Sequence, residues 1–238
     1  MLWPWEMPEM RPLFIFGASR GVGLEVARLE RACHRQVIAF VRPHSETEEL
    51  VRIGATVVEG DALSKTDVTL ALPKKGVEFD IVSTLGGQSK DGRRADDEGN
   101  INVIDAAVKN DGAGRFLLVT SIGCGETAPF RSQRAIDAFG AAVDAKTRAE
   151  ERLKASTLEW TILRPGGLKS EPATGQGILS QDPEIHGLIH RADMALLVSR
   201  SLRDASTLKH AFAAVDAQLA RCVNPIQPFQ LAQLEQLS

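Results

Sequence analysis

A doubly wound parallel α/β sheet is the architecture this sequence encodes, on three grounds. Short apolar runs alternate with segments of helical period, the pattern of a parallel sheet covered on both faces. Gly17, Gly21 and Gly23 fill the turn between the first apolar run and the first helix. The residues that follow the strands are rich in glycine, hydroxyls and arginine, and strand ends are where such sheets bind ligands.

Leu13 to Phe16 reads as a buried strand, and Leu24, Ala27 and Leu29 fall on one side of the helix after it. Gln36 to Val41 is a second strand ended by Arg42-Pro43, and Glu46 to Ile53 suits a short helix. Ala55 to Glu59 is a third strand closed by Gly60-Asp61, and the helix from Thr66 to Leu72 stops at Pro73. A fourth strand, Phe79 to Ser83, runs into Thr84-Leu85-Gly86-Gly87 and a polar stretch, Gln88 to Arg94, that reads as a mobile loop. Asp96 to Lys109 carries a helical pattern through Ile101, Ile104, Ala107 and Val108. A fifth strand (Arg115 to Thr120), a long helix (about Ser132 to Lys154) and a sixth strand (Glu159 to Leu163) follow. Leu168 to His190, with Gly175, Gly177 and Pro183, reads as a loop-like region covering a substrate. Its Ile178, Leu179, Ile185 and Leu188 suit either an apolar lid or a cap on the core. Arg191 to Leu202 is a last helix, and His210 to Val215 a last strand. The expected organisation is an irregular arm over 1–12, one domain over 13–220 with a lid at about 168–190, and a tail over 221–238. Trp3 and Trp5 would anchor the arm, and a short Leu-rich turn ends the tail.

Composition narrows the function classes. With 43% hydrophobic and 25% charged residues in 238, the chain can bury a substantial core. A net charge of −3 gives no reason to expect a nucleic-acid or membrane partner. No apolar run approaches a bilayer-spanning length, and the N-terminus lacks the basic head and apolar stretch of a signal peptide. Cys33, Cys124 and Cys222 are widely spaced and odd in number, which suits a reducing cytoplasm better than a disulfide framework. His186 and His190 stand four apart, but Gly187 interrupts them, and no metal site is expected. A monomer and a homodimer are equally compatible with the sequence.

The glycine turn fits a dinucleotide phosphate. Gly17 lets the chain reverse, Gly21 admits a pyrophosphate to the backbone, and Gly23 lets helix and strand sit close. Ser19, Arg20 and Val22 complete the loop at a helix start that carries free N–H groups. Arg42 follows the second strand where an NAD-preferring fold often has an acid, and Arg20 supplies a second guanidinium, so NADP(H) is the expected cofactor. Asp61 is suited either to the adenine amino group or to a turn before Ser64. Ala62, Leu85, Gly86, Thr120 and Pro165, all at strand ends, complete the expected cofactor contacts.

Together these stretches resemble the short-chain dehydrogenase/reductase superfamily, in particular its atypical branch of NmrA-like and biliverdin reductase B-like proteins. The likeness rests on Gly17-Ala-Ser-Arg-Gly-Val-Gly23, the Asp96-to-Ala107 helix, and Phe116-Leu-Leu-Val-Thr-Ser-Ile-Gly123. Ala145-Lys-Thr-Arg-Ala-Glu150, Trp160-Thr-Ile-Leu-Arg-Pro-Gly-Gly-Leu168 and Arg191-Ala-Asp-Met-Ala195 extend it over almost the whole chain. It implies a Rossmann-type fold, an active-site Ser121 and a Lys146 that contacts the nicotinamide ribose. The superfamily's catalytic Tyr stands one helical turn before that Lys, where this chain has Ala142, and the sequence contains no Tyr at all. Asp96 is then either catalytic or part of a structural ion pair, and Cys124 reads as a loop residue. The expectation is an NADPH-dependent oxidoreductase reducing a conjugated or quinone-like small molecule. The alternative is an NADP(H)-binding redox sensor that catalyses nothing; a sugar epimerase or dehydratase ranks below both for want of the Tyr.

Overall fold

The computed structural model describes residues 10–74 and 76–232. The expected Trp3/Trp5 anchor and the terminal Leu-rich turn lie outside them.

Ten strands and six α-helices follow in order: β1 (Leu13–Phe16), α1 (Gly21–Ala32), β2 (Val37–Val41), α2 (Glu48–Arg52), β3 (Thr56–Glu59), α3 (Lys65–Ala71), β4 (Phe79–Ser83), α4 (Asn100–Val108), β5 (Ala113–Val119), α5 (Gln133–Lys154), β6 (Glu159–Pro165), β7 (Gly167–Lys169), β8 (Gly177–Ser180), β9 (Leu188–His190), α6 (Arg191–Arg203) and β10 (Ala211–Asp216). The main sheet runs β3-β2-β1-β4-β5-β6-β10-β8, parallel throughout except where β8 pairs antiparallel with β10. The strand order therefore reverses between β1 and β4, where a doubly wound sheet opens a crevice at its carboxyl ends.

Alternation along β1 assigns the two faces. Leu13 and Ile15 pack with Val22, Val26 and Ala27 of α1 and Met194, Leu197 and Val198 of α6. Phe14 and Phe16 pack with Val68 of α3, Val103, Ile104 and Ala107 of α4, and Ala149 and Leu153 of α5. On α1 the buried face is Val22, Val26, Ala27 and Glu30, whereas Leu24 and Leu29 are only half-buried. Glu30 is tolerated there because Arg203 and Arg35 meet its carboxylate.

Three expectations are corrected. The stretch before α4 opens as a π-turn, Ala95–Gly99, which shifts the helical register. As a result Val103, Ile104 and Ala107 are buried, while Val108 is 38% exposed and Ile101 half-buried. The segment 88–94 is no slack loop. Ser89 N–H donates to Arg93 O (2.9 Å), Ala95 N–H to Gly87 O (2.9 Å), and Arg93 ties back to Leu63 O (2.8 Å). Of the apolar residues offered for a lid, Leu179 and Ile185 are fully buried, Ile178 packs beside Ile185, and Leu188 is exposed. Within the stretch read as loop, Ile178 and Leu179 belong to β8, which joins the main sheet beside β10. The tail docks beside that strand: Phe229 N–H donates to Leu179 O (2.8 Å), and its ring packs against Phe212 at 4.6 Å.

Candidate functional site

The crevice at the carboxyl ends of β1 and β4 is a cleft of about 380 Å³. Gly17, Ser19, Arg20, Gly21, Val22, Arg42, Asp61, Ala62, Leu85, Gly86, Thr120, Lys146 and Pro165 all line it. Of the residues expected to bind cofactor or act on substrate, Gly23 and Ser121 do not, and neither Asp96 nor Cys124 is among the lining residues.

Gly23 acts one layer below. A Cβ there would lie 2.3 Å from Gly17 O and 2.7 Å from Thr84 Oγ1, so only glycine lets α1 approach the loop this closely. Gly21 has φ +62°, a left-handed backbone that turns the loop into α1. Arg20 sits at the helix N-cap without a side-chain cap, and the first turn carries no acid. The first N–H groups of α1 thus face the cleft without an internal partner, an anion-binding arrangement. Arg20 and Arg42 are exposed on the cleft and, among the described residues, make no ion pair or side-chain hydrogen bond. Asp61 serves its own turn, accepting from Leu63 N–H (2.9 Å), and lines the cleft as well.

The opposite end is organised by carboxylates. Lys146 Nζ donates to Leu85 O (2.9 Å) and lies 3.2 Å from Asp96 Oδ1. The other oxygen of Asp96 accepts from Gly87 N–H (3.0 Å) and faces Arg94 Nη1 (3.3 Å). Asp96 is 2% exposed with both oxygens engaged, so its ion pair positions Lys146 instead of reaching into the cleft. The π-turn makes this geometry available. It is held by Asn100, whose amide donates to Asp96 O (2.9 Å) and whose carbonyl accepts from Ser83 Oγ (2.6 Å). An ammonium has three donors, which leaves one on Lys146 for a bound group.

Thr120 Oγ1 donates to Glu150 Oε1 (2.7 Å), and Glu150 in turn receives Arg164 Nε (3.0 Å) and Nη2 (2.5 Å). The two most specific motifs of the sequence therefore meet in one buried ion pair beneath the cleft floor. Glu126 joins it from the 3₁₀ turn Gly125–Phe130, 2.5 Å from Arg164 Nη2. Burial works to raise the Glu126 carboxyl, but Lys154, its own backbone and Arg164 outweigh that and hold it at about 2. Ser121 Oγ donates to Ile122 O (3.0 Å).

Cys124 is fully buried 3.5 Å from Val143 O. Burial, then the charge of Glu150, pushes its thiol up to about 11, so near neutral pH it is a neutral thiol shut inside the fold. Iodoacetamide at pH 8 is expected to alkylate the half-buried Cys33 and Cys222 of the folded protein and spare Cys124. Mass spectrometry of the peptides reads this directly, and equal labelling of all three would contradict the buried placement.

Sequence reasoning missed Ser45, Gln88, Ser89 and Arg191 as cleft residues. Nothing in the local pattern of Ser45 marks it, and Arg191 was marked only as the start of a family-like helix, with no role in the site. His190, Asp193 and Asp216 also converge, with ligand-type atoms within 4.8 Å of one another, but behind the cleft. Their carboxylates are taken by Thr174, Gly175 N–H and Gln218 N–H.

Comparison with known proteins agrees with this geometry. Residues 17–205 match the family model described as NAD(P)H-binding. The chain belongs to that family. It is 38% identical to ChuY, an anaerobilin reductase from Escherichia coli O157:H7, over 87% of this chain and 98% of that one, with a TM-score of 0.78. It is 30% identical to YhfK of Bacillus subtilis (strain 168), named as an uncharacterized sugar epimerase, over 84% of this chain and 92% of that protein. A short-chain dehydrogenase/reductase from Veillonella parvula solved with NADP is only 14% identical over 88% of this chain and 96% of that one. It shares the fold at a TM-score of 0.70. The chain is thus a Rossmann-like NAD(P)H-binding protein. No helix among the described residues is long and apolar enough to cross a membrane.

Proposed function

We propose that this protein binds NADP(H) and reduces a conjugated small molecule by hydride transfer, without a side-chain phenol. The observation that carries the reading is the single cleft with two unpaired guanidiniums, Arg20 and Arg42, at one end and Lys146 at the other. The 2′-phosphate would take the arginines, the pyrophosphate the α1 N-terminus, and the nicotinamide ribose the spare donor of Lys146.

A bound reduced nicotinamide supplies the hydride; the chain's own residues supply position and charge. Thr120 and the Lys146–Asp96 pair hold the ring end of the cleft, and Gly86 lets the backbone pack against that pair, since a Cβ there would lie 3.0 Å from Asp96 Oδ1 and 3.2 Å from Lys146 Nζ. Hydride adds to an electrophilic carbon of the acceptor, and the resulting anion takes its proton from solvent, because Ala142 replaces the usual acid and Cys124 is sealed off. Ser121 can donate to an acceptor carbonyl once its hydroxyl rotates away from Ile122 O. The likeness to an anaerobilin reductase makes linear tetrapyrroles the first acceptors to try, with quinones, flavins and enones beside them. Unpaired thiols suit a cytoplasmic setting.

NADPH should be oxidised, followed at 340 nm, on mixing the protein with one of these acceptors. Tight NADPH binding with no turnover on any of them would instead support a redox sensor, the reading that the missing Tyr also favours. An epimerase, as one relative is named, needs a base where Ala142 stands.

A further inference from the structure

The Arg191-x-Asp193 pair that opens α6 has no part in the reading above, yet both residues reach the same segment. Arg191 crosses from α6 to the glycine loop. Its Nε lies 3.8 Å from where a Cβ on Gly21 would stand, and it lines the cleft. Its Nη1 donates to Leu168 O (3.3 Å) in β7 and to Ser170 Oγ (2.7 Å) just beyond it. Two residues on, Asp193 is 2% exposed and accepts from Thr174 N–H and Gly175 N–H, both at 2.8 Å. The Thr174 hydroxyl sits between Asp193 Oδ2 (3.1 Å) and Asp216 Oδ2 (2.5 Å). The segment 168–176 is therefore held at its far end by buried carboxylates and at its near end by one cleft-facing guanidinium.

That guanidinium is half used. Nε and Nη2 make no hydrogen bond among the described residues, and Nε lies on the side of the uncapped α1 N-terminus. We infer that Arg191 is a latch: its free edge takes a pyrophosphate oxygen seated on the glycine loop while Nη1 keeps Ser170 and Leu168. A planar guanidinium can serve both because its five donors point along separate edges. Cofactor occupancy then tightens residues 168–176, of which Leu168 lines the cleft and Ser170 to Pro172 lie beside Arg20 and Gly21. Without cofactor the near end of the segment has only the Nη1 contacts to hold it. The inference rests on the NADP(H) reading and names a residue and a coupling that the reading alone does not contain.

Two measurements on the intact chain test it: calorimetry with NADP⁺ and with 2′-AMP, which lacks the pyrophosphate, and hydrogen exchange of peptides spanning 168–176. In the wild type, NADP⁺ should slow exchange in that segment and 2′-AMP should not. Arg191→Ala should weaken NADP⁺ about tenfold or more, as for a lost charged hydrogen bond, and leave 2′-AMP within twofold. Arg191→Lys, which keeps charge but loses the fork, should fall between. Ser170→Ala should bind NADP⁺ within about threefold of wild type yet lose most of the exchange slowing. Unchanged NADP⁺ affinity in Arg191→Ala, or equal weakening of 2′-AMP, overturns the latch, and so does full slowing in Ser170→Ala. Failure of the wild type to bind NADP⁺ overturns the cofactor reading itself, which keeps the two failures apart.

Discussion

Glu150→Ala should lower the unfolding free energy by roughly 3 kcal/mol, at the low end of what breaking a buried ion pair costs. Glu150 is 1% exposed and Arg164 3%, so neither partner has water to fall back on. Removing the carboxylate leaves Arg164 facing only Glu126, whose side chain is 62% exposed and outside the sealed contact. That residual partner is why the low end is expected. The change also strips Thr120 Oγ1 of its acceptor at the cleft floor. Glu150→Gln should cost distinctly less, because it keeps the shape and one acceptor while losing the charge. Urea unfolding of the three proteins reads the differences. A loss below about 1 kcal/mol in Glu150→Ala would mean that water enters and that the pair is not the buried brace described.

The other large effect concerns cofactor choice. Arg42→Ala should weaken NADPH by ~1.5–3 kcal/mol, the range for a hydrogen bond to a charged group, and leave NADH nearly untouched. In dissociation constants that is about ten- to a hundredfold, and it is selective. Arg42 is exposed and makes no ion pair among the described residues, so its removal should cost little stability and the binding change should be clean. Arg20→Ala should act in the same direction, and the double variant should prefer NADH or be indifferent. Calorimetry with both nucleotides decides it. Equal weakening of NADPH and NADH by Arg42→Ala would detach Arg42 from the 2′-phosphate.

Much of the site was legible because its parts are local. The glycine turn, Arg20 and Arg42 are written within single strand-to-helix or strand-end segments, where backbone conformation and neighbouring residues fix the geometry. Lys146 was marked by likeness to a known family, and Glu150 only as part of the same motif. Their partners were not marked. Asp96 read equally well as catalyst or brace, and the ambiguity disappears only once Lys146, Gly87 and Arg94 are seen to occupy its oxygens. The π-turn was invisible for a related reason. Periodicity assumes a constant register, and the inserted residue is stabilised by Asn100 reaching Ala95 and Asp96 carbonyls, a contact no pattern encodes. β8 was not read from the sequence because glycine and proline content signals irregularity, and the choice between lid and core cap for Leu179 and Ile185 rests on packing against β10, which comes only at Ala211–Asp216 in the chain.

Taken alone, the chain's order of residues determined the alternating strands and helices, the glycine turn before the first helix, the positions of Arg20 in that turn and of Arg42 after the second strand, and the lack of any phenolic side chain. Those follow from short-range propensity and from which residue types are present. Tertiary structure decided what Asp96, Cys124, Arg164 and Arg191 do. Each draws its role from charges or carbonyls brought near it by distant segments, and burial sets how strongly they act.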